Sequence, residues 1–432
     1  MSARRGWSRR EFSAALASLA WTTVGRSLAA AADDRRPPTK PSRSPRRPSR
    51  FLVFFLAGGM DELYSINPMH PGEVKQGILP VYTERELITH GAARLAPMWS
   101  SLAPYLPRMQ VISGIQCSTV AHPTGVRQVR QMRRHVVSER ETSFITLAGE
   151  AIAPEAPLHA LHINAGYYPV GPTAEGRVLV DDSGGKILAS LHRLANDPAL
   201  RDVSRAALAS AARTDARTAE PTRIVDAMIA KMAGTPAPTP SAASVIDPAE
   251  WPWHTFEEMK KGNALEYAWV LYALQRRLAP AVFLSPLAFW DTHWNNDIMQ
   301  RPLQHQFALG LKYVLDGLAA APGDHGGSLL DETGIVILSE LGRFPYVNSV
   351  GGKDHYPQIT AVLMGPGLAP GKFGETDSEL LGTSVSLTTG RPGRGGRLLT
   401  LDDLGTTLLH WLGNPDPPRL GYDGSLLEFC FA

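Results

Sequence analysis

The sequence predicts an α/β protein built on a mostly parallel sheet, and three observations lead there. Phe51-Leu-Val-Phe-Phe-Leu56 and Gly334-Ile-Val-Ile-Leu338 are continuous apolar runs, as strands buried on both faces require. Runs of this kind alternate along the chain with segments of helical spacing, the order in which βαβ units are built. Acidic and histidine side chains recur just past the strand ends, at Asp61, Asp291, His293 and Glu340. That is the edge where open α/β sheets keep their sites.

With 432 residues, 44% hydrophobic and 19% charged, the chain is long enough for a large core, as one α/β domain or two smaller ones. The net charge of +2 hides an uneven distribution, because the first fifty residues are rich in Arg and nearly free of acid. The remainder is mildly acidic, which gives no argument for nucleic acid as a partner.

Residues 1–32 have the pattern of a twin-arginine (Tat) export signal. Ser8-Arg9-Arg10-Glu11-Phe12 precedes an Ala-rich apolar run from Ser13 to Gly25, and Ala29 to Ala32 supply the small residues a signal peptidase needs. The expected partner is the twin-arginine translocase and the expected destination periplasmic or extracellular. The apolar run is too short for a permanent membrane anchor. Residues 33–50 read as a disordered Pro/Arg/Ser linker, and residues 51–432 as the folded domain. Cys117 and Cys430 are the two cysteines; a disulfide between them cannot be deduced, and no CxxC pair argues for structural zinc.

The first strand runs into Ala57-Gly-Gly-Met-Asp61, whose spacing fits neither a dinucleotide loop nor a phosphate loop. A helical segment around Leu95 to Leu106 leads to a short strand, Gln110 to Gly114. The polar loop Cys117-Ser-Thr-Val-Ala-His122-Pro-Thr124-Gly-Val-Arg127 then opens a basic helix at about 126–134. Ser118 and Thr124 are hydroxyls at a helix start, which serve either as caps or as a nucleophile at an anion-attracting end. A helix at 144–152 and a strand at Leu158 to Asn164 follow. From about 181 to 280 the pattern is helical, with segments near 185–195, 198–215, 222–233 and 256–278 broken by Pro-rich stretches. This stretch reads as a helical insertion.

The core resumes at Ala281 to Phe289 and ends in Trp290-Asp291-Thr-His293. Asp291 and His293 are two apart, so on an extended strand end both side chains lie on one face. A crossover helix from Gln300 to Ala321 leads to the strand that ends in Ser339-Glu340. A Gly-Gly turn then delivers Asp354 and His355 side by side. Asp61, Asp291, His293, Glu340, Asp354 and His355 therefore group as a candidate metal-ligand set. Carboxylates with a minority of histidines suit Zn, Mn, Mg or Ca, without choosing among them.

The combination FLAGGMDE, WDTHWNN, GIVILSELGRFP, GGKDHYP and TLDDLGTTLLHWLG resembles the exported family known as domain of unknown function 1501. That family resembles the alkaline phosphatase and sulfatase superfamily, and the similarity runs from Phe51 to the end. The resemblance implies an alkaline phosphatase-like fold, a doubly wound, mostly parallel sheet sandwiched by helices. It also implies one or two divalent ions at the carboxyl ends of the strands. By position, Asp61 matches the first-strand metal aspartate, Asp291 and His293 a mid-chain pair, and Glu340 the acidic ligand after the next strand, with Asp354 and His355 closing the site.

Two departures bear on function. Cys117-Ser-Thr-Val-Ala does not fit the sulfatase Cys-x-Pro-Ser-Arg pattern, which argues against formylglycine chemistry, and Glu340-Leu341 stands where the superfamily has an Asp-His pair. The reading that follows is an exported, metal-dependent hydrolase of small anionic phosphate or sulfate esters. Water or Thr124 attacks, with Ser118 the other available hydroxyl, and Arg343 or Arg127 clamps the anion. The alternative is a non-catalytic envelope protein that keeps the fold as a binding or assembly module. An oxidoreductase would need a dinucleotide or cluster motif that the sequence lacks.

Overall fold

The structure, a computed structural model, describes residues 46–135, 142–164, 177–214, 219–239, 257–286, 288, 290–414 and 416–431. The export signal and most of the linker lie outside the described residues. Among those described, no helix is long and apolar enough to cross a membrane.

In chain order the strands are β1 (Arg50–Phe55), β2 (Ile88–His90), β3 (Ala93–Leu95), β4 (Gln110–Gln116), β5 (Ala160–Ile163) and β6 (Val178–Asp181). They continue with β7 (Ala281–Leu284), β8 (Thr333–Leu338), β9 (Gly342–Arg343), β10 (His355–Tyr356), β11 (Gln358–Met364) and β12 (Gly371–Phe373). The helices are α1 (His122–Gln131), α2 (Phe144–Ile152), α3 (Lys186–Asn196), α4 (Pro198–Thr214), α5 (Ala219–Met232), α6 (Glu257–Gln275), α7 (Asn296–Ala320) and α8 (Leu401–Trp411).

Eight strands form one sheet in the order β12-β4-β11-β8-β1-β7-β5-β6, and only β11 runs against the rest. β1 lies at the centre, in parallel register with Ala281 on one side and Gly334 on the other through Phe51. All six of its residues are buried, Arg50 together with the apolar run that follows it. Successive side chains point to opposite faces. Leu52, Phe54 and Leu56 enter one core with α6 and α7, where Phe54 meets Phe307 edge-on at 5.5 Å. Phe51, Val53 and Phe55 enter the other with α2 and α8, where Phe51 meets Trp411 at 6.2 Å. Apolar residues of α3 and α5, such as Leu188, Leu191, Ile229 and Met232, extend the first core. The fold is thus the mostly parallel sheet between two helical layers that the sequence predicts.

Two local differences have physical reasons. The segment expected to be helical around 95–106 is a 3₁₀ stretch, Pro97–Arg108, because Pro104 and Pro107 cannot supply the amide protons an α-helix needs. The basic helix begins earlier than expected, at His122, since Pro123 fits its first turn, and it ends where Met132 turns left-handed (φ 48°).

Helix α8 closes the fold with a reciprocal cap. Thr400 Oγ1 accepts from the Asp403 amide, and the Asp403 carboxylate accepts from the Thr400 amide at 2.9 Å. Burial pushes the Asp403 carboxyl up, but Arg397, Thr400 and the Ser425 amide outweigh it and hold it below the usual carboxylate range. A folded-state value below the unfolded one gives stability that is present above about pH 4 and lost as pH falls through the folded value. Asp403→Asn is expected to lower the unfolding free energy at neutral pH by about 1–3 kcal/mol. In urea titrations the gap between variant and parent should close on acidification below about pH 4.

Candidate metal centre

The carboxyl ends of β8, β1 and β7, neighbours in the sheet, bring three loops together. The loop after β1 must pass close to the loop after β7: a Cβ on Gly58 would lie 2.8 Å from the Asp291 amide nitrogen, and its φ is +117°. Only glycine satisfies both demands. Gly352 makes the same close approach to the His293 carbonyl, where a Cβ would sit at 1.8 Å.

Arg343 ties these loops from within. Its side chain is fully buried, and its guanidinium donates to the carbonyls of Gly58, Gly59 (3.1 Å), Trp290 (3.0 Å) and Lys353 (3.0 Å) and to Asp291 Oδ1 (2.6 Å). Every guanidinium nitrogen is committed, so Arg343 is placed as a strut inside the protein and not as an anion clamp facing solvent.

Around Asp291 stand three histidines, each anchored from behind. His122 Nδ1 lies 2.7 Å from Glu340 Oε1, His355 Nδ1 2.6 Å from the Val120 carbonyl, and His293 Nδ1 3.1 Å from Asp354 Oδ1. Those oxygens only accept, so a neutral ring carries its proton on Nδ1 and turns the Nε2 lone pair inward. The three Nε2 atoms lie 3.3 Å (His122), 3.1 Å (His355) and 3.1 Å (His293) from Asp291 oxygens, and those of His293 and His355 are 2.8 Å apart. A tetrahedral ion with ligands at about 2.1 Å holds them roughly 3.4 Å from one another, close to the separations of Asp291 from His122 and from His355. His122 Nε2 is buried and not aligned for a hydrogen bond, which leaves a donor atom for a ligand to use. Among the described residues, His122, Asp291 and His355 form a group whose donor atoms lie within 4.8 Å of one another.

The electrostatics agree. The carboxylates of Asp291 and Glu340 beside it push the His122 ring up to about 9, so without an ion it holds a second proton. Burial raises the Asp291 carboxyl, but bonds from His122, His355 and Arg343 outweigh it and hold the group well below the usual carboxylate range. A field that retains a proton there also favours a metal cation in its place.

The expected ligand set is therefore divided by the fold. Asp291, His293 and His355 converge. Glu340 and Asp354 stand one step behind, fixing His122 and His293. Asp61 is engaged elsewhere: it forms an ion pair with Lys353 Nζ at 2.8 Å, accepts from Asn296 Nδ2 at 3.0 Å, both partners buried, and caps the 3₁₀ turn Glu62–Tyr64. Thr124 is half-buried in the first turn of α1, beside His122, whereas Ser118 is exposed, left-handed (φ 60°) and accepts from Gln128 at 3.4 Å. Burial pushes the Cys117 thiol far up, which keeps it unreactive. His122 was not singled out from the sequence, where it lies inside a polar loop. The signal available was a histidine just before a proline at a helix start, weak until Glu340 is seen behind it.

A family model described as a protein of unknown function, DUF1501, matches residues 254–416. The match includes Asp291, His293, Glu340, Arg343, Asp354 and His355 but stops short of Asp61 and His122. No curated protein matches the chain in sequence. Among solved structures, the chain is similar to the PsFucS1 sulfatase from Pseudoalteromonas sp., with 12% identity over 90% of this chain and 72% of that one and a TM-score of 0.37. It is also similar to a protein in the alkaline phosphatase superfamily from Vibrio parahaemolyticus, with 10% identity over 94% of this chain and 76% of that one and a TM-score of 0.36.

Arg343→Met strands the carbonyls of three loops and leaves Asp291 without its guanidinium. The expected loss of stability is about 3–5 kcal/mol, read from urea unfolding midpoints, with Arg343→Lys recovering only part of it. A loss under about 1 kcal/mol, typical of a surface charge, would contradict the strut.

Proposed function

We propose that the protein is an exported, metal-dependent hydrolase of phosphate or sulfate esters. The observation that carries this reading is the convergence of three Nε2 atoms on Asp291 with each Nδ1 anchored to an oxygen. Such outer partners fix tautomer and ring orientation in metal sites, and with both Nδ1 atoms anchored to oxygens, two Nε2 atoms 2.8 Å apart need a shared proton or a cation between them. Three imidazoles and one carboxylate suit zinc or a similar transition ion better than Mg or Ca. His122, His293, His355 and Asp291 would hold it, and the ion would supply a Lewis acid that polarises the ester.

The chain's own residues account for the rest. His122 is the first residue of α1, so the unpaired amide groups of that helix start lie beside the cluster and favour an anionic group there. Thr124, in the same turn, or a water is the attacking oxygen. Glu340 and Asp354 keep their histidines turned inward. Export by the twin-arginine translocase, a signal over 1–32, a linker over 33–50 and a helical insertion at about 181–280 belong to the same proposal.

The binding-module alternative rests on one observation: neither Thr124 nor Ser118 hydrogen-bonds to a cluster side chain among the described residues. Two measurements decide. Elemental mass spectrometry on the exported protein should find about one equivalent of a transition metal, reduced at least tenfold in His355→Ala and His122→Ala. No metal in the parent would sink both the site and the hydrolase. The metal-bearing parent should also cleave 4-nitrophenyl phosphate or sulfate, with kcat/KM falling about 100-fold or more in Asp291→Asn and on chelation. Metal without turnover would favour the binding module.

A further inference from the structure

The cluster opens onto an apolar lip. Phe344-Pro-Tyr-Val-Asn-Ser-Val-Gly-Gly352 contains no charged residue, in a chain that is 19% charged, yet Phe344, Val347 and Val350 are 39%, 41% and 61% exposed. Their exposure is built in. Asn348 sits at the centre of the loop and spends its side chain inward, donating to the His293 carbonyl at 3.0 Å and accepting from the amides of Val350 (3.1 Å) and Gly352 (2.9 Å). A loop pinned this way cannot fold its valines under.

The lip is joined by backbone bonds to residues next to the histidines of the cluster. The Phe344 amide donates to the Asp354 carbonyl at 2.7 Å, and the Asn295 amide to the Val350 carbonyl at 3.3 Å, next to His293. Val120, 49% exposed, carries the carbonyl that holds His355. Uncharged apolar surface thus borders a centre built for a cation and its anion. Exposed apolar patches of this kind mark binding sites.

We infer that the ligand is amphiphilic: an anionic phosphate or sulfate ester whose alkyl or aryl group lies along Phe344, Val347 and Val350. The inference rests on the proposed function for its anionic end. It assigns the other end to hydrocarbon, because the exposed side chains of this loop are apolar apart from Ser349.

The test is calorimetric binding of inorganic phosphate, butyl phosphate and octyl phosphate to the metal-loaded exported protein. Full burial of a methylene gives about a fourfold gain in affinity and half-burial about twofold, so octyl phosphate, with four more methylenes, should bind about fifteenfold tighter than butyl phosphate. In a Val347→Ser, Val350→Ser double variant, checked for folding by its metal content, that ratio should fall to about two- or threefold. Equal affinities in the parent, an unchanged ratio in the variant, or no binding of any of the three would overturn the inference. So would a parent that self-associates through the lip while the variant is monomeric, or one that binds phosphatidylcholine vesicles without telling octyl from butyl. The assay needs no turnover, so the two readings fail separately. A chain-length preference without hydrolysis removes the hydrolase and keeps the amphiphile; hydrolysis with equal binding does the reverse.

Discussion

The arrangement at the sheet edge depends on one buried guanidinium. A cation without solvent is costly unless its donors are satisfied, and Arg343 satisfies them with carbonyls from the loops after β1 and β7 and from Lys353, plus one carboxylate. The planar fork is what allows one side chain to hold several chain segments at fixed mutual distance; an ammonium would not. Asp291 inherits its position from this strut, and the histidines take theirs from Asp291. The glycines at 58 and 352 follow from the same constraint, since the strut draws backbone to within contact of backbone.

Orientation of the rings is a separate matter, solved three times with different acceptors. Glu340, Val120 and Asp354 share only the property of being oxygens that cannot donate. That property is sufficient, because the tautomer of a neutral imidazole follows from which nitrogen faces an acceptor. The three anchors come from the end of β8, the loop before α1 and the loop before β10. The cluster therefore exists only when the sheet is assembled, and the helix start that carries His122 must dock against Glu340. Gly125 permits that docking, as a Cβ there would press on Glu340 at 3.1 Å.

This explains which parts were readable in the sequence. The apolar runs of β1 and β8 declared themselves because burial on both faces leaves no polar position to confuse the pattern. Asp291 with His293, and Asp354 with His355, were readable because each pair is local. β11, the antiparallel strand, and the polar ladder Asn296, Gln300 and Gln304 on α7 were not. The ladder looks like surface until its amides are seen bonding the Gly59, Asp61 and Trp290 region. Asp61 and Asp291 are the sharpest case. Both are acids past parallel strands, yet one faces Lys353 and the other three histidines, and in the sequence only the His293 two residues after Asp291 tells them apart. His122 was passed over for the same reason: its partners are 169 and 218 residues away, at Asp291 and Glu340.

The formal charges at this edge then favour a particular occupancy. Asp61 and Lys353 cancel each other in a buried pair whose side chains are each 1% exposed. Asp291, Glu340 and Asp354 carry three negative charges and Arg343 one positive charge, which leaves an excess of two on a frame of three neutral histidines. A proton on His122 offsets half of that excess, consistent with its raised affinity for protons. One divalent cation offsets all of it. Asp61, also expected from the sequence as a ligand, adds nothing to that excess, because it already has its cation in Lys353.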